Sequence, residues 1–107
     1  MTEEVKKYLY DVLLAIEQFL VGIEKFEDYQ NDLKTKSAVE RQLSIVGGAV
    51  NKYGKASTEK LSHSEQIVAV RNRLIHAYDA IDDTIIWVIV QKYLLILKSE
   101  VKEKLSR

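Results

Sequence analysis

From Val5 onward, apolar residues recur at every third or fourth position: Val5, Leu9, Val12, Ile16, Leu20, Ile23 and Phe26. That spacing draws one stripe down a helix over about residues 3–29, and the Thr2 hydroxyl is its expected N-cap. Tyr29-Gln30-Asn31-Asp32 reads either as a turn or as more of the same helix. The stripe resumes at Val39, Leu43, Val46 and Val50, which predicts a second helix over roughly Lys36–Lys52. Gly47-Gly48 sits inside that pattern, where each glycine costs about 1 kcal/mol relative to alanine. Such a pair points to close approach of another backbone, or to a bend. From Gly54 to Ser62 the periodicity lapses, and a loop is expected.

Ser62-His63-Ser64-Glu65 has capping-box spacing, with Ser62 as N-cap and Glu65 three positions on. The third helix then places Ile67, Val70, Leu74, Ala77 and Ile81 on its apolar face. An acidic break over Asp79–Thr84 follows, in which Asp82 or Asp83 can cap a fourth helix from about Thr84 to Leu105. That helix carries Ile86, Ile89, Val90, Tyr93, Leu97, Val101 and Leu105 on one side, while Ile85, Val88, Leu95 and Ile96 widen its apolar surface. A helix apolar on more than one side must be covered on more than one side. The pattern predicts an all-α, antiparallel four-helix bundle, a single domain over residues 1–107, with a second copy covering the extra face as a homodimer.

Composition sharpens this picture. A chain of 107 residues buries only somewhat over ~60% of its unfolded surface by itself, a second reason to expect association. The absence of proline and the abundance of Leu, Ile, Val, Lys and Glu favour helix throughout. Sixteen basic and sixteen acidic residues cancel, so any contact with nucleic acid has to come from a local patch, or from patches joined by assembly. With no cysteine there is neither a disulfide framework nor a thiolate metal site. Met1-Thr2-Glu3-Glu4 lacks a signal-peptide hydrophobic region, and the apolar run Ile85–Leu97 is interrupted by Gln91-Lys92 and too short to span a bilayer. A cytoplasmic protein without membrane association is expected.

The candidate chemistry is concentrated in Arg71-Asn72-Arg73-Leu74-Ile75-His76-Ala77-Tyr78. A guanidinium near an imidazole supplies fixed positive charge and a proton carrier near neutral pH, as phosphodiester chemistry requires. On an ideal helix, Arg71 and His76 are separated by about 140° of rotation and about 7.5 Å of rise, so they flank a face rather than stack on it. Asn72 and His76 share a face, as do Arg71 and Tyr78. Arg71, Asn72, Ile75 or His76, and Tyr78 are expected to form a rim while Val70, Leu74 and Ala77 face the core. A two-fold axis beside that rim would unite two arginines and two histidines in one cleft.

Structural roles account for the same residues taken singly: His76 bonded to a carbonyl, Arg71 paired with a carboxylate, Tyr78 half-buried with its hydroxyl in water. His63 and His76 have no acidic cluster at ligand spacing, so no metal site is expected. Gly47-Gly48 lacks the spacing of a phosphate-cradling loop, and no cofactor is expected. Asp79, Asp82 and Asp83 read as caps and solvated charges. Trp87 and the tyrosines at 8, 10, 29, 53 and 93 read as core or interface aromatics. His63 has no evident partner.

Arg71-x4-His76-x-Tyr78, with Asn72 after the arginine, resembles the signature of the HEPN superfamily, in particular its HepT-like toxin branch encoded beside minimal nucleotidyltransferase antitoxins. Ala38–Gly47 resembles that family's second helix, and Asp82 and Trp87 match residues that follow. The resemblance implies a metal-independent endoribonuclease toxin of a type VII-like toxin–antitoxin pair, cleaving RNA in a cleft at the interface of a homodimer. It implies proton transfer by His76, phosphate stabilisation by Arg71 and substrate orientation by Asn72. Tyr78 would be the site at which the nucleotidyltransferase attaches AMP to silence the toxin. The alternatives are a non-catalytic HEPN module that holds nucleotide or docks a nucleotidyltransferase, and a purely structural bundle. Relatives often carry an acidic residue where this chain has Gly48; if that carboxylate assists the site or tunes its histidine, weaker or absent activity is the expected consequence. The segment Ser62–Val70 also lacks the proline and tryptophan common there.

Overall fold

Thr2 starts the first helix as its hydroxyl oxygen accepts the Val5 N–H at 3.2 Å, and α1 runs over Glu3–Ala15. The computed structural model describes residues 1–17, 26–76 and 82–107, and no strand occurs among them. After α1 come α2 (Phe26–Asn31), α3 (Leu33–Ala56), α4 (Ser64–His76) and α5 (Asp83–Val88). A π-helical turn over Ile89–Tyr93 then leads into α6 (Leu94–Leu105). Leu20 and Ile23, assigned to the first apolar stripe, lie outside the described residues.

Asp32 ends α2 and caps α3: its carboxylate accepts the Lys34 N–H at 3.1 Å and the Thr35 hydroxyl at 2.7 Å. Those bonds, the Thr35 hydroxyl foremost, hold the Asp32 carboxyl below the usual range. Asp32 therefore starts the helix earlier than Lys36. At the other end α3 continues four residues past Lys52, into the expected loop, because Tyr53 extends the stripe of Val46 and Val50 and is itself buried. α3 is the central element. It packs against α1, α2 and α4, and the residues it shares with α1 (Thr2 and Val5 near Tyr53, Asp11 near Ser44 and Gly48) make that pair antiparallel.

Leu9, Val12, Leu43, Val46, Ile86 and Leu97 are among the fully enclosed core residues. Each contributes about 1.5–3 kcal/mol by leaving water. The glycine pair serves close approach, not a bend: a Cβ on Gly47 would overlap Arg71 Cβ and lie 3.3 Å from the Ile67 carbonyl oxygen.

The capping box at Ser62 does not form. Ser62 gives its N–H and hydroxyl to the Glu100 carboxylate of α6 at 2.8 and 2.9 Å, and α4 begins two residues later, at Ser64. A charged acceptor from a distant helix displaces the local cap. His63 turns the chain at φ 58°, its carbonyl accepts the Ile67 N–H at 3.0 Å, and its ring stacks on Tyr93 with centroids 4.3 Å apart. His63 thus has the partner that its sequence surroundings do not reveal.

Asp82 caps α5 through the Thr84 N–H at 2.8 Å, while Asp83 pairs with Lys36 at 3.0 Å. Nearby, the buried Tyr29 ring stacks on Trp87 with centroids 6.2 Å apart. The fourth apolar segment is not one regular α-helix. The wide turn at Ile89–Tyr93 delays the register, so Leu94 takes the buried position expected for Tyr93. Ile85, Val88, Leu95 and Ile96 remain 40–59% exposed on this chain, as does Tyr10 at 56%. No helix among the described residues is long and apolar enough to cross a membrane.

Candidate functional site

Arg71 is held where α3 and α4 come closest. The missing side chain of Gly47 makes room for its Cβ and Cγ, and the guanidinium extends past Gly48, whose Cβ position would be 3.9 Å from Nε. Nη1 donates to the Asn72 carbonyl oxygen Oδ1 at 3.0 Å. Nε is buried and has no hydrogen-bond partner among the described residues. A buried, unpaired cationic donor is costly, by about 1–3 kcal/mol or more.

The guanidinium faces a cleft of about 330 Å³ between α1, α3 and α4. Tyr8 and Asp11 come from α1; Ser44, Gly48, Asn51 and Lys52 come from α3. Tyr8 donates its hydroxyl to Glu4 at 2.8 Å, which raises the phenol above its ordinary pKa. Asp11, Ser44, Asn51 and Lys52 had not been singled out from the sequence. For the α3 residues a signal was available: Ser44, Gly48 and Asn51 recur at three- and four-residue steps, with Lys52 four on from Gly48, a polar stripe beside the apolar one.

Asn72 lines a second cleft, about 430 Å³, between α3, α4 and the loop that joins them, together with Asn51, Lys55, Lys60 and Ser64. His76, the last residue of α4, is exposed and has no hydrogen bond or ion pair among the described residues. One chain therefore joins Arg71 to Asn72 but leaves His76 apart. Val70 is buried and Leu74 half-buried as expected, with Asn72 and Ile75 exposed. Tyr78 and Ala77 lie outside the described residues. No group of three or more His, Asp or Glu able to hold a metal ion occurs among the described residues.

The family described as Ribonuclease HepT-like matches residues 9–104. A protein of Thermococcus cleftensis named a probable ribonuclease HepT is 36% identical over 109 residues, covering 95% of this chain and 96% of its own. A protein of Caldanaerobacter subterraneus subsp. tengcongensis, named as a candidate RNase, is 32% identical over 106 residues, covering 95% of each chain. Another from Methanocaldococcus jannaschii, also named as a candidate RNase, is 32% identical over 104 residues, covering 92% of this chain and 94% of its own. No solved structure matches. With a family match over nearly its whole length and relatives this similar end to end, the chain belongs to the ribonuclease HepT-like family.

Proposed function

We propose that this protein is a metal-independent endoribonuclease that acts as a homodimer, the toxin of a pair whose antitoxin is a minimal nucleotidyltransferase. The observation that carries the reading is Arg71: a guanidinium anchored by Gly47 and Asn72, with one buried donor unpaired beside an open cleft. Family membership and the names of the relatives support ribonuclease activity.

In this mechanism the RNA 2′-hydroxyl attacks the adjacent phosphorus and the 5′-oxygen leaves. His76 moves a proton at one of those oxygens. Arg71 stabilises the charge that builds on the phosphoryl oxygens, a preorganised electrostatic role. Asn72 holds the guanidinium in place and orients the substrate. The separation of His76 from Arg71 on one helix is the reason for invoking a second copy, which would bring another His76 to the cleft. AMP attached to Tyr78, seven residues on from Arg71 in the sequence, would add phosphate charge that competes with RNA for the guanidinium.

Purified protein is expected to cleave RNA in the presence of a chelator, and Arg71→Ala or His76→Ala is expected to lower the rate by about 10²-fold or more while the fold persists. Retention of full cleavage by both variants would remove these assignments. Tyr78 is tested by intact mass after co-expression with the nucleotidyltransferase: AMP-sized additions should vanish in Tyr78→Phe. Gly48 favours a second reading, a non-catalytic module, because no carboxylate stands beside Arg71 at that position. RNA binding without Arg71-dependent cleavage would select that reading.

A further inference from the structure

The chain carries no net charge, yet the two clefts lined by α3 and α4 do. Lys52 and Arg71 against Asp11 line one; Lys55 and Lys60 against Glu65 line the other. None of these three lysines takes part in an ion pair among the described residues; the same holds for Lys7, Lys34, Lys92 and Lys98, so what sets the three apart is that they line the clefts. Unpaired cations gathered in a neutral protein mark a place where negative charge is received.

The clefts are continuous in their polar lining. Asn51 contributes to both, and the hydrogen bond from Arg71 to Asn72 links a residue of one to a residue of the other. Behind the lysines of the second cleft, Val50, Leu61, Val68 and Ala69 supply an apolar wall. Cations for a backbone, amides for base edges and an apolar wall for a base face are the three things a single nucleic-acid strand asks for. At about 430 Å³ the second cleft has the size of a nucleotide pocket rather than a duplex groove. From Gly48 to Lys55 the distance along α3 is about 10 Å, seven residues of helical rise.

We propose that the cleft bearing Lys55 and Lys60 is a flanking RNA subsite, in which the single strand whose phosphate meets Arg71 continues along α3 toward its C-terminal end. The subsite rests on the ribonuclease reading and adds to it the path of the substrate. Lys55 and Lys60 receive backbone phosphates, and Asn51 and Asn72 stand at the crossing between the clefts. Glu65 opposes the strand and limits affinity.

The test is binding of a fluorescent single-stranded 2′-O-methyl oligoribonucleotide, which lacks the attacking hydroxyl, to the full chain over a range of salt. Lys55→Ala/Lys60→Ala is expected to weaken binding roughly tenfold or more at low salt, from loss of two charge-assisted contacts. It should also flatten the slope of log K against log salt by about 1.4, two phosphate contacts on a single strand. Glu65→Gln should tighten binding, a change that a merely structural role would not produce. Lys92→Ala, an exposed lysine that lines neither cleft, should leave affinity unchanged. Unchanged affinity and slope in the double variant, or an equal loss in Lys92→Ala, overturns the subsite while leaving RNA cleavage by the wild type in place. A wild type that neither binds nor cleaves RNA overturns the ribonuclease reading and the subsite together.

Discussion

Gly47 and Arg71 are fitted to each other: a Cβ on Gly47 would overlap the Cβ of Arg71 and lie 2.7 Å from its Cγ. The neighbouring Gly48 stands differently, since a Cβ there meets only Arg71 Nε, at 3.9 Å. Gly47→Ala is expected to destabilise the protein by about 1–3 kcal/mol, because α3 and α4 must separate. Gly48→Ala is expected to stabilise it by ~0.5–1 kcal/mol through helix propensity alone. Urea midpoints should therefore move in opposite directions, and RNA cleavage should fall with Gly47→Ala as Arg71 is displaced.

His63 holds a backbone conformation that costs a non-glycine residue about 1–2 kcal/mol. Its stack on Tyr93 returns about 0.5–1.5 kcal/mol. His63→Gly should consequently be near neutral in the wild type, since relief of strain and loss of the stack offset. In a Tyr93→Leu background the same change should stabilise the protein by ~1 kcal/mol. Equal effects in both backgrounds would sink this account of the loop.

Lys104 is buried, and its ammonium donates to the more exposed Glu59 carboxylate at the α3–α4 loop. That bond raises the Lys104 pKa and lowers that of Glu59. A carboxylate whose folded pKa is depressed stabilises the fold above its ordinary value of 4.5, and the contribution disappears as pH falls through the folded value. Thermal midpoints should thus drop below about pH 4.5, and less steeply in Glu59→Gln/Lys104→Met. Glu59→Gln alone is expected to be the worst variant at neutral pH, because it strands a buried charge that Lys104→Met removes.

Tyr29 responds to base. Burial, then the charges of Asp83 and Glu40, push its hydroxyl well above the ordinary 10.0. The unfolded chain ionises at that ordinary value while the folded one keeps its proton, so stability present at neutral pH falls as pH rises above 10.0. Tyr29→Phe should unfold less readily at alkaline pH relative to its own neutral-pH stability. A pH profile parallel to the wild type above pH 10 would locate the alkaline loss elsewhere.

Periodicity alone was enough for the helical class and for most of the core: Val5, Leu9, Val39, Leu43, Ile67 and Val101 bury as their spacing requires. Local chemistry was equally direct at Thr2 and Asp82, where a side-chain oxygen next to a free backbone N–H needs no distant partner. The motif at Arg71, Asn72, His76 and Tyr78, and the family it signals, are likewise written in the chain, since residue types and spacing suffice to recognise them.

Interactions between distant segments decided the rest. Ser62 satisfies its hydrogen bonds with Glu100 rather than with Glu65, and His63 finds Tyr93, thirty residues away, only once the π turn has brought that ring around. Which side of Gly47-Gly48 admits Arg71 depends on how α3 and α4 cross, and neither glycine declares it. The same crossing gathers Asp11, Asn51 and Lys52 about the arginine. A sequence specifies which residues are available to a site through their spacing along one helix; the packing of helices against one another selects those that meet, because contacts between elements depend on three-dimensional register that no local pattern encodes.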